Sequence, residues 1–307
     1  MTLHPRIAEV LATFPPPPDG PPDPAMLRAD EESHVTPVED RLPLYSVEDV
    51  VARTPGGDVP IRIYTPQESG SYAVLVYLHG GAFFLGSLDT HDGIARSLAL
   101  ATGYRVVSVG YRRAPEHDFP GGLQDCYAVV RWVAEDPEAV AWDGARLAVA
   151  GDSSGATFVA AITAMAHDDG FDRITDQILY YPSLDLDFDE DRYPSLRENA
   201  IGYGLETPGL RPFNSFYIGS GADPADPLVS PIKRGDLSGL PRALVITAEH
   251  DPLRDEGELY GQRLQRAGVD TTVHRYAGAT HGFVQHFSWI PDYQQVFTET
   301  AEFLSRP

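Results

Sequence analysis

The chain of 307 residues contains a single cysteine, Cys126, which excludes an intrachain disulfide. One thiol is also too few for a sulfur-ligated zinc site. Cys126 lies in LQDCYAVVRWV (123–133), where apolar residues recur at helical spacing. We therefore expect a buried structural thiol, and the low cysteine content fits a reducing compartment.

Basic residues are scarce, with 23 Lys and Arg against 45 Asp and Glu, which gives a net charge of −22. Lys233 is the only lysine. A nucleic-acid binder needs a basic stripe to neutralise phosphates, and an anionic membrane surface would repel this chain. The composition thus excludes nucleic acids and membranes as expected partners, and we interpret the acidity as a contribution to solubility.

Long apolar runs are missing too, since none approaches the roughly 20 residues of a membrane span. The N-terminal MTLHPRIAEV lacks the basic start and apolar run of a secretory signal. We therefore predict a soluble, cytoplasmic protein.

Near the N-terminus, residues 5–14 carry apolar side chains at helical spacing, and the proline run PPPPDGPPDP follows at 15–24. Such a run is either a ligand for a proline-binding module or a stiff connector, and the connector is the commoner case. We expect it to join a small helical segment to the body of the protein.

From residue 45 onwards, apolar strand patterns alternate with helical ones. Strands are predicted at 59–66, 72–80, 104–111, 146–152, 174–182, 242–250 and 269–277, and helices at 90–102, 120–135, 153–167, 255–267 and 291–304. Near-continuous apolar strands separated by helices predict an α/β fold, with a parallel sheet covered by helices on both faces. The segment 183–222, rich in Asp, Pro, Gly and aromatics, interrupts the alternation and is interpreted as an insertion.

The sequence GDSSG (151–155) stands at a strand–turn–helix junction. The register G-x-S-x-G fits Ser153 but not Ser154, because its flanking positions would then be Asp152 and Ala156. Small residues on both sides let the strand and helix pass closely around a strained, exposed nucleophile. The alternative is a glycine turn in which serine caps a helix.

A serine nucleophile of this type needs an acid and then a histidine later in the chain. Asp251 follows the strand ALVITAEH at the end where parallel sheets bind ligands, and this position favours a catalytic acid over the alternative of a helix cap. His281, in GATHGF, stands in a predicted loop before the last helix, as a general base requires. The other histidines considered stand in contexts that indicate packed, structural or surface positions: His117, His250, His274 and His286.

The glycine-rich HGGAFFLGS (79–87) follows another buried strand. Glycines expose backbone N–H groups that can be aimed at a tetrahedral oxyanion, although a plain Gly-Gly turn has the same local sequence. Its position ahead of GDSSG favours the oxyanion site.

Five segments in this order resemble the bacterial hormone-sensitive-lipase-like esterases of the α/β-hydrolase fold: HGGAF, YRRAPEHDFPGGLQDCYAVVRW, GDSSG, DPLRDEG and HGF. The resemblance covers about residues 45–305. It implies a mostly parallel eight-stranded sheet with helices on both faces and a helical cap. It divides the chain into an N-terminal cap segment at 1–42 and a catalytic domain at 43–307, with a cap insertion at 183–222.

The resemblance also implies a serine carboxylesterase without cofactor or metal, in which Ser153, Asp251 and His281 form the triad. Its oxyanion hole would comprise the backbone N–H groups of Gly81, Ala82 and Ser154. Two positions depart from the family pattern, since Ala82 replaces a glycine and Ser154 replaces an alanine. Both residues keep their N–H, and Ala82 is a problem only if its backbone needs a positive φ.

Aromatic residues are expected to line the substrate pocket, although each is equally well suited to an ordinary core: Phe83, Phe84, Phe213, Tyr217 and Phe283. A capped aromatic pocket favours short- to medium-chain acyl esters as small-molecule substrates. Amide, carbamate or lactone hydrolysis and acyl transfer need no different triad and stay open, as does a non-enzymatic receptor on the same fold. The family includes homodimers, so a homodimer is an alternative to a monomer.

Overall fold

The computed structural model describes residues 2–13, 21–219 and 221–307. Within them, eight strands form one sheet: β1 (Ser46–Thr54), β2 (Gly57–Thr65), β3 (Tyr72–Leu78), β4 (Arg105–Val109), β5 (Trp142–Asp152), β6 (Asp176–Tyr180), β7 (Arg242–His250) and β8 (Thr271–Thr280). The strand order is β1-β2-β4-β3-β5-β6-β7-β8. β1 and β2 pair antiparallel, as do β2 and β4, whereas all the other neighbours are parallel.

This topology confirms the predicted α/β-hydrolase fold, with its mostly parallel eight-stranded sheet. The carboxyl ends of parallel strands meet at one edge of a sheet. Residues that directly follow β5, β7 and β8 are therefore brought to the same edge, although about 130 positions separate the first from the last.

The helices are α1 (Pro5–Leu11), α2 (Pro24–Ser33), α3 (Asp92–Thr102), α4 (Gly121–Glu135), α5 (Ser154–Asp168), α6 (Ser195–Glu198), α7 (Thr207–Ile218), α8 (Arg254–Arg266), α9 (Phe283–His286) and α10 (Pro291–Ser305). Two apolar cores result, one on each face of the sheet. Helices α4, α5 and α8 cover the first core, and α3, α9 and α10 cover the second. Strand β3 shows why its apolar run is continuous, because Val74 and Val76 enter the first core while Leu75 and Tyr77 enter the second.

Several elements differ from the sequence prediction. β1 was not predicted, because SVEDVVART is a half-exposed edge strand with charged residues along it. The predicted N-terminal helix ends at Leu11, and most of the proline run (15–20) lies outside the described residues. The insertion 183–222 contains α6 and α7, and α2 lies in the proposed cap segment 1–42. Among the described helices, none combines the length and the apolarity needed to cross a membrane.

Candidate active site

The turn between β5 and α5 carries Ser153 at its tip. Ser153 has φ 52° and ψ −120°, a conformation that non-glycine residues rarely adopt. A Cβ on Gly151 would lie 2.6 Å from the carbonyl carbon of Gly155, and a Cβ on Gly155 would overlap the carbonyl oxygen of Leu78. Only glycine at both positions lets the strand and the helix approach this closely, which is the physical reason for the G-x-S-x-G spacing.

His281 lies between Ser153 and Asp251. Its Nε2 is 2.9 Å from Oγ of Ser153, and its Nδ1 is 2.8 Å from Oδ2 of Asp251. When Nδ1 donates its proton to the carboxylate, Nε2 presents a lone pair to the serine hydroxyl. The three residues directly follow β5, β7 and β8. This arrangement can remove the Ser153 proton and hold it on an imidazolium beside a carboxylate.

The carboxylate of Asp251 is held from two sides. Asp251 is fully buried, and its second oxygen accepts a hydrogen bond from the N–H of Leu253 at 2.8 Å. The side-chain amide of Asn199, at the end of α6, donates to the Asp251 carbonyl at 3.0 Å. Sequence reasoning missed Asn199, because an asparagine that binds only backbone carbonyls leaves no pattern in the sequence. The insertion thus contributes to the position of the acid.

The other histidines have different surroundings. Nδ1 of His274 lies 2.8 Å from the carboxylate of Glu299, and the ring of His250 stacks on Tyr203 with 4.7 Å between centroids. In the described part of the chain, His281 is the histidine that reaches Oγ of Ser153.

The backbone N–H groups of the loop 79–87 and of Ser154 differ in whether they have a hydrogen-bond acceptor. Most have an acceptor: Gly80 on Asp152 Oδ1 (2.9 Å), Phe83 on Ser154 Oγ (3.2 Å), Phe84 and Leu85 on the Gly81 carbonyl (3.0 and 2.7 Å), and Gly86 on Glu31 (2.8 Å). Within residues 2–13, 21–219 and 221–307, the N–H groups of Gly81, Ala82 and Ser154 have no acceptor. A backbone N–H group without a partner in the protein can donate to an oxyanion, so the three predicted donors are free for that role.

The backbone of this loop is strained at two successive non-glycine residues. Ala82 has φ 48° and Phe83 has φ 67°. A left-handed conformation costs a residue with a Cβ about 1–2 kcal/mol. Ala82 therefore occupies a position that requires a positive φ. From the sequence, the replacement of glycine by alanine is expected to matter only in this case.

A buried polar network supports the base of the loop. Asp152 accepts hydrogen bonds from Tyr77 at 2.6 Å and from the N–H of Gly80, and Nε2 of His91 lies 3.7 Å from its other oxygen. Burial by itself would raise the pKa of Asp152, but His91 and these hydrogen bonds outweigh it and hold the pKa below its ordinary 3.8. Burial likewise opposes charge on His91, but Asp152 and Glu31 raise the pKa of this histidine above 6.5.

Helix α2 holds the outer side of the same loop. Nε of Arg28 donates to the carbonyl of Phe84 at 2.7 Å, and the same guanidinium also binds the carbonyl of Ala114 and the carboxylate of Glu116. Glu31 binds the N–H of Gly86. Sequence reasoning did not find Arg28 or Glu31, because charged residues on a short polar helix are typical of a solvated face.

The predicted pocket aromatics occupy different places. Phe83 stacks on Tyr217 with 3.8 Å between ring centroids and 9° between planes, and both rings are buried in the first core. Phe84 is buried against the half-buried Phe213. Phe283 instead packs in the second core, against Tyr181 and two further tyrosines. Phe213 is thus the one of the five predicted pocket residues that keeps an open surface.

Among the described residues, no group of three or more His, Cys, Asp or Glu side chains is arranged to hold a metal ion.

Comparisons with known proteins identify the family and the fold. The sequence pattern of a family described as alpha/beta hydrolase fold matches residues 75–285. Esterase LipI of Mycobacterium tuberculosis is 40% identical over 254 residues, which are 81% of this chain and 78% of that protein. An ethyl acetate hydrolase of Pseudomonas putida is 36% identical over 257 residues, which are 82% of this chain and 79% of that protein.

The solved structure of a hyperthermophilic esterase from Pyrobaculum calidifontis superposes with a TM-score of 0.89 at 36% identity, covering 98% of this chain and 97% of that one. Family pattern, relatives and fold thus agree, and the chain belongs to the hormone-sensitive-lipase-like esterases of the α/β-hydrolase fold.

Proposed function

We propose that this esterase hydrolyses short- to medium-chain acyl esters of small alcohols through a Ser153–His281–Asp251 triad and an acyl-enzyme. The observation that carries the proposal is the hydrogen-bonded row from Ser153 Oγ through His281 to Asp251. The N–H groups of Gly81, Ala82 and Ser154 have no acceptor among the described residues. They support the proposal, because they lie on the turn that carries Ser153 and on the loop bonded to that turn.

The first half of the reaction forms the acyl-enzyme. Oγ of Ser153 attacks the ester carbonyl carbon while its proton passes to Nε2 of His281, whose positive charge Asp251 stabilises. The carbonyl oxygen becomes an oxyanion that the three N–H groups receive. The C–O bond to the alcohol then breaks, and His281 gives its proton to the departing alkoxide.

The second half regenerates the enzyme. A water molecule gives a proton to His281 and attacks the acyl carbon, which forms a second oxyanion in the same hole. Collapse of this intermediate breaks the bond to Oγ, and the proton returns from His281 to Ser153. The carboxylic acid leaves, and atoms and charge balance without a cofactor.

The preference for short acyl chains is supported by the packing beside the loop 79–87, which we call the oxyanion loop. Phe83 is stacked on Tyr217 and contacts Phe158, so aromatic rings already fill the volume next to the loop. The relative from Pseudomonas putida is named for a two-carbon acyl ester. Phe213, with its partly open surface, is the proposed contact for longer acyl groups.

The experiment is hydrolysis of a p-nitrophenyl ester series, from acetyl to dodecanoyl, by the wild type and Ser153→Ala. We expect activity to peak at short chains and to fall on the order of 10⁶-fold in the variant. Equal activity in both proteins would remove Ser153 as the nucleophile. Inactivity of both towards every ester, with both proteins folded, would overturn the ester substrate in favour of an amide, carbamate, lactone or receptor role. Partition of product between water and an added alcohol distinguishes hydrolysis from acyl transfer.

A cytoplasmic location and a homodimer stay predictions, which fractionation of the native host and light scattering would test.

A further inference from the structure

The hydroxyl of Ser154 accepts a hydrogen bond that an alanine at this position could not accept. Ser154 is buried, and its Oγ accepts the hydrogen bond of the Phe83 N–H at 3.2 Å. Without that oxygen, the Phe83 N–H would be a buried donor with no acceptor among the described residues. The serine thus joins the turn 151–155, which we call the nucleophile turn, to the oxyanion loop, at a position where the family pattern has alanine.

The bonded peptide lies next to the strained part of the loop. The N–H of Phe83 belongs to the peptide that follows Ala82, and the preceding peptide carries the Ala82 N–H, one of the three oxyanion donors. Both Ala82 and Phe83 have positive φ values. Strained backbone of this kind persists only where surrounding contacts impose it. The orientation of the peptide between these residues sets how Ala82 presents its N–H.

Other contacts hold the loop on either side of this peptide. Asp152 binds the N–H of Gly80 before it, and Arg28 binds the carbonyl of Phe84 after it. The N–H of Ala114 binds the far side of Phe83, at its carbonyl, at 3.0 Å. The peptide between Ala82 and Phe83 is itself held by its hydrogen bond to Ser154 Oγ.

We infer that the Ser154 hydroxyl is a positioning group that keeps the oxyanion loop in its catalytic shape and offsets the strain introduced by alanine at position 82. The inference rests on the proposed function and deepens it. Ala82 and Ser154, the two departures from the family pattern, thus compensate each other. This role of the Ser154 side chain is separate from that of the Ser154 N–H, which any residue except proline would supply at this position.

The experiment is a double-mutant cycle of Ser154→Ala and Ala82→Gly. Ser154→Ala should lower kcat for p-nitrophenyl acetate by about tenfold, equivalent to about 1.4 kcal/mol, with KM changed by less than about twofold. In the Ala82→Gly background, the same serine substitution should cost less than about threefold, because glycine adopts the positive φ without strain.

A tetrahedral analogue separates a role in the oxyanion hole from general stability. Oγ of Ser153 adds to the carbonyl carbon of an aryl trifluoromethyl ketone, the carbonyl oxygen becomes an alkoxide, and the serine proton passes to Nε2 of His281. Its inhibition constant should rise by the same factor, about tenfold, as kcat falls in Ser154→Ala. The matched control is Ser108→Ala, which removes another buried hydroxyl, one without a partner among the described residues, and should change neither quantity.

Two results would overturn the inference: a Ser154→Ala variant with wild-type kcat, or a loss of equal size in both backgrounds at position 82. Either leaves the proposed function intact if the wild type hydrolyses the ester and Ser153→Ala does not. Failure of the proposed function is recognised separately, as inactivity of the folded wild type itself.

Discussion

Glu31, on an N-terminal helix, accepts a hydrogen bond from the backbone N–H of Gly86, 55 positions later in the chain, at 2.8 Å. Arg28, one helical turn earlier, binds the carbonyls of Phe84 and Ala114. The oxyanion loop is therefore held by a segment that belongs to the proposed cap rather than to the sheet.

We predict that Arg28→Met lowers the free energy of unfolding by about 1–3 kcal/mol, because two part-buried carbonyls lose a charged donor. The loosened loop should lower kcat as well. Urea unfolding and ester hydrolysis measure the two effects. The control is Arg131→Met, which removes an exposed arginine paired with Glu135 on α4 and should cost less than about 1 kcal/mol. Equal losses in the two variants would show that α2 does not support the loop.

The carboxylate of Asp251 gives a second prediction. Asp251→Asn keeps the size of the side chain but no longer fixes the Nδ1 proton of His281, so kcat should fall on the order of 10⁴-fold. Asp255→Asn alters a nearby carboxylate that pairs with Arg254 and should keep kcat within about tenfold of the wild type. A larger loss at Asp255 than at Asp251 would reverse the assignment of the acid.

The glycines of the nucleophile turn give a prediction about folding. Gly155→Ala places a Cβ against the carbonyl oxygens of Leu78 and His79, both backbone atoms that cannot rotate away. We expect loss of activity together with destabilisation by more than about 3 kcal/mol. Gly93→Ala, on α3, meets no atom within 4 Å and should be neutral or stabilising by up to about 1 kcal/mol. Thermal unfolding of both variants distinguishes a steric effect from a general intolerance of alanine.

The buried pair of His91 and Asp152 gives a pH dependence. The pKa of His91 is raised above 6.5, so its contribution to stability is full below that pH and is lost as pH rises through the folded pKa. The pKa of Asp152 is lowered below 3.8, so its contribution is present above that pH and is lost as pH falls through the folded pKa. The pair thus stabilises most between about pH 4 and 6.5.

Asp152→Asn should therefore lower the free energy of unfolding most in that pH window, by about 3 kcal/mol. The difference in unfolding free energy from the wild type should shrink at alkaline pH. Unfolding free energies measured from pH 4 to 9 test this. Asp125→Asn is the control, because Asp125 is buried against Arg112, which stays charged throughout, and its cost should not shrink above pH 6.5. Parallel curves for wild type and Asp152→Asn would contradict the pairing.

Much of the fold was predictable because its signals are local. Apolar runs predicted β3 and β7 to within a few residues, and helical spacing predicted α4 and α10. β1 escaped because an edge strand with one solvated face carries no continuous apolar run. α2 escaped because its sequence, PAMLRADEES, has no continuous apolar stripe and no buried residue.

The residues of the candidate site also differ in whether a local signal in the sequence predicts them. Each residue of the proposed triad directly follows a strand, so strand prediction brought Ser153, Asp251 and His281 to one edge of the sheet. Arg28 and Asn199 act through long-range bonds to backbone carbonyls, which no spacing in the sequence encodes. Phe283 was expected in the pocket because it is aromatic and close to His281 in sequence, but the turn that carries His281 directs the Phe283 ring into the second core.

The left-handed backbone at Ala82 has an evolutionary consequence. If the Ser154 hydroxyl offsets the strain at Ala82, a lineage that replaced glycine by alanine at position 82 while still carrying alanine at 154 would have passed through a weakened enzyme. A lineage that acquired serine at 154 first would not have done so. We therefore expect homologues to vary at these two positions in concert, with alanine at 82 found on backgrounds that already carry a hydroxyl at 154.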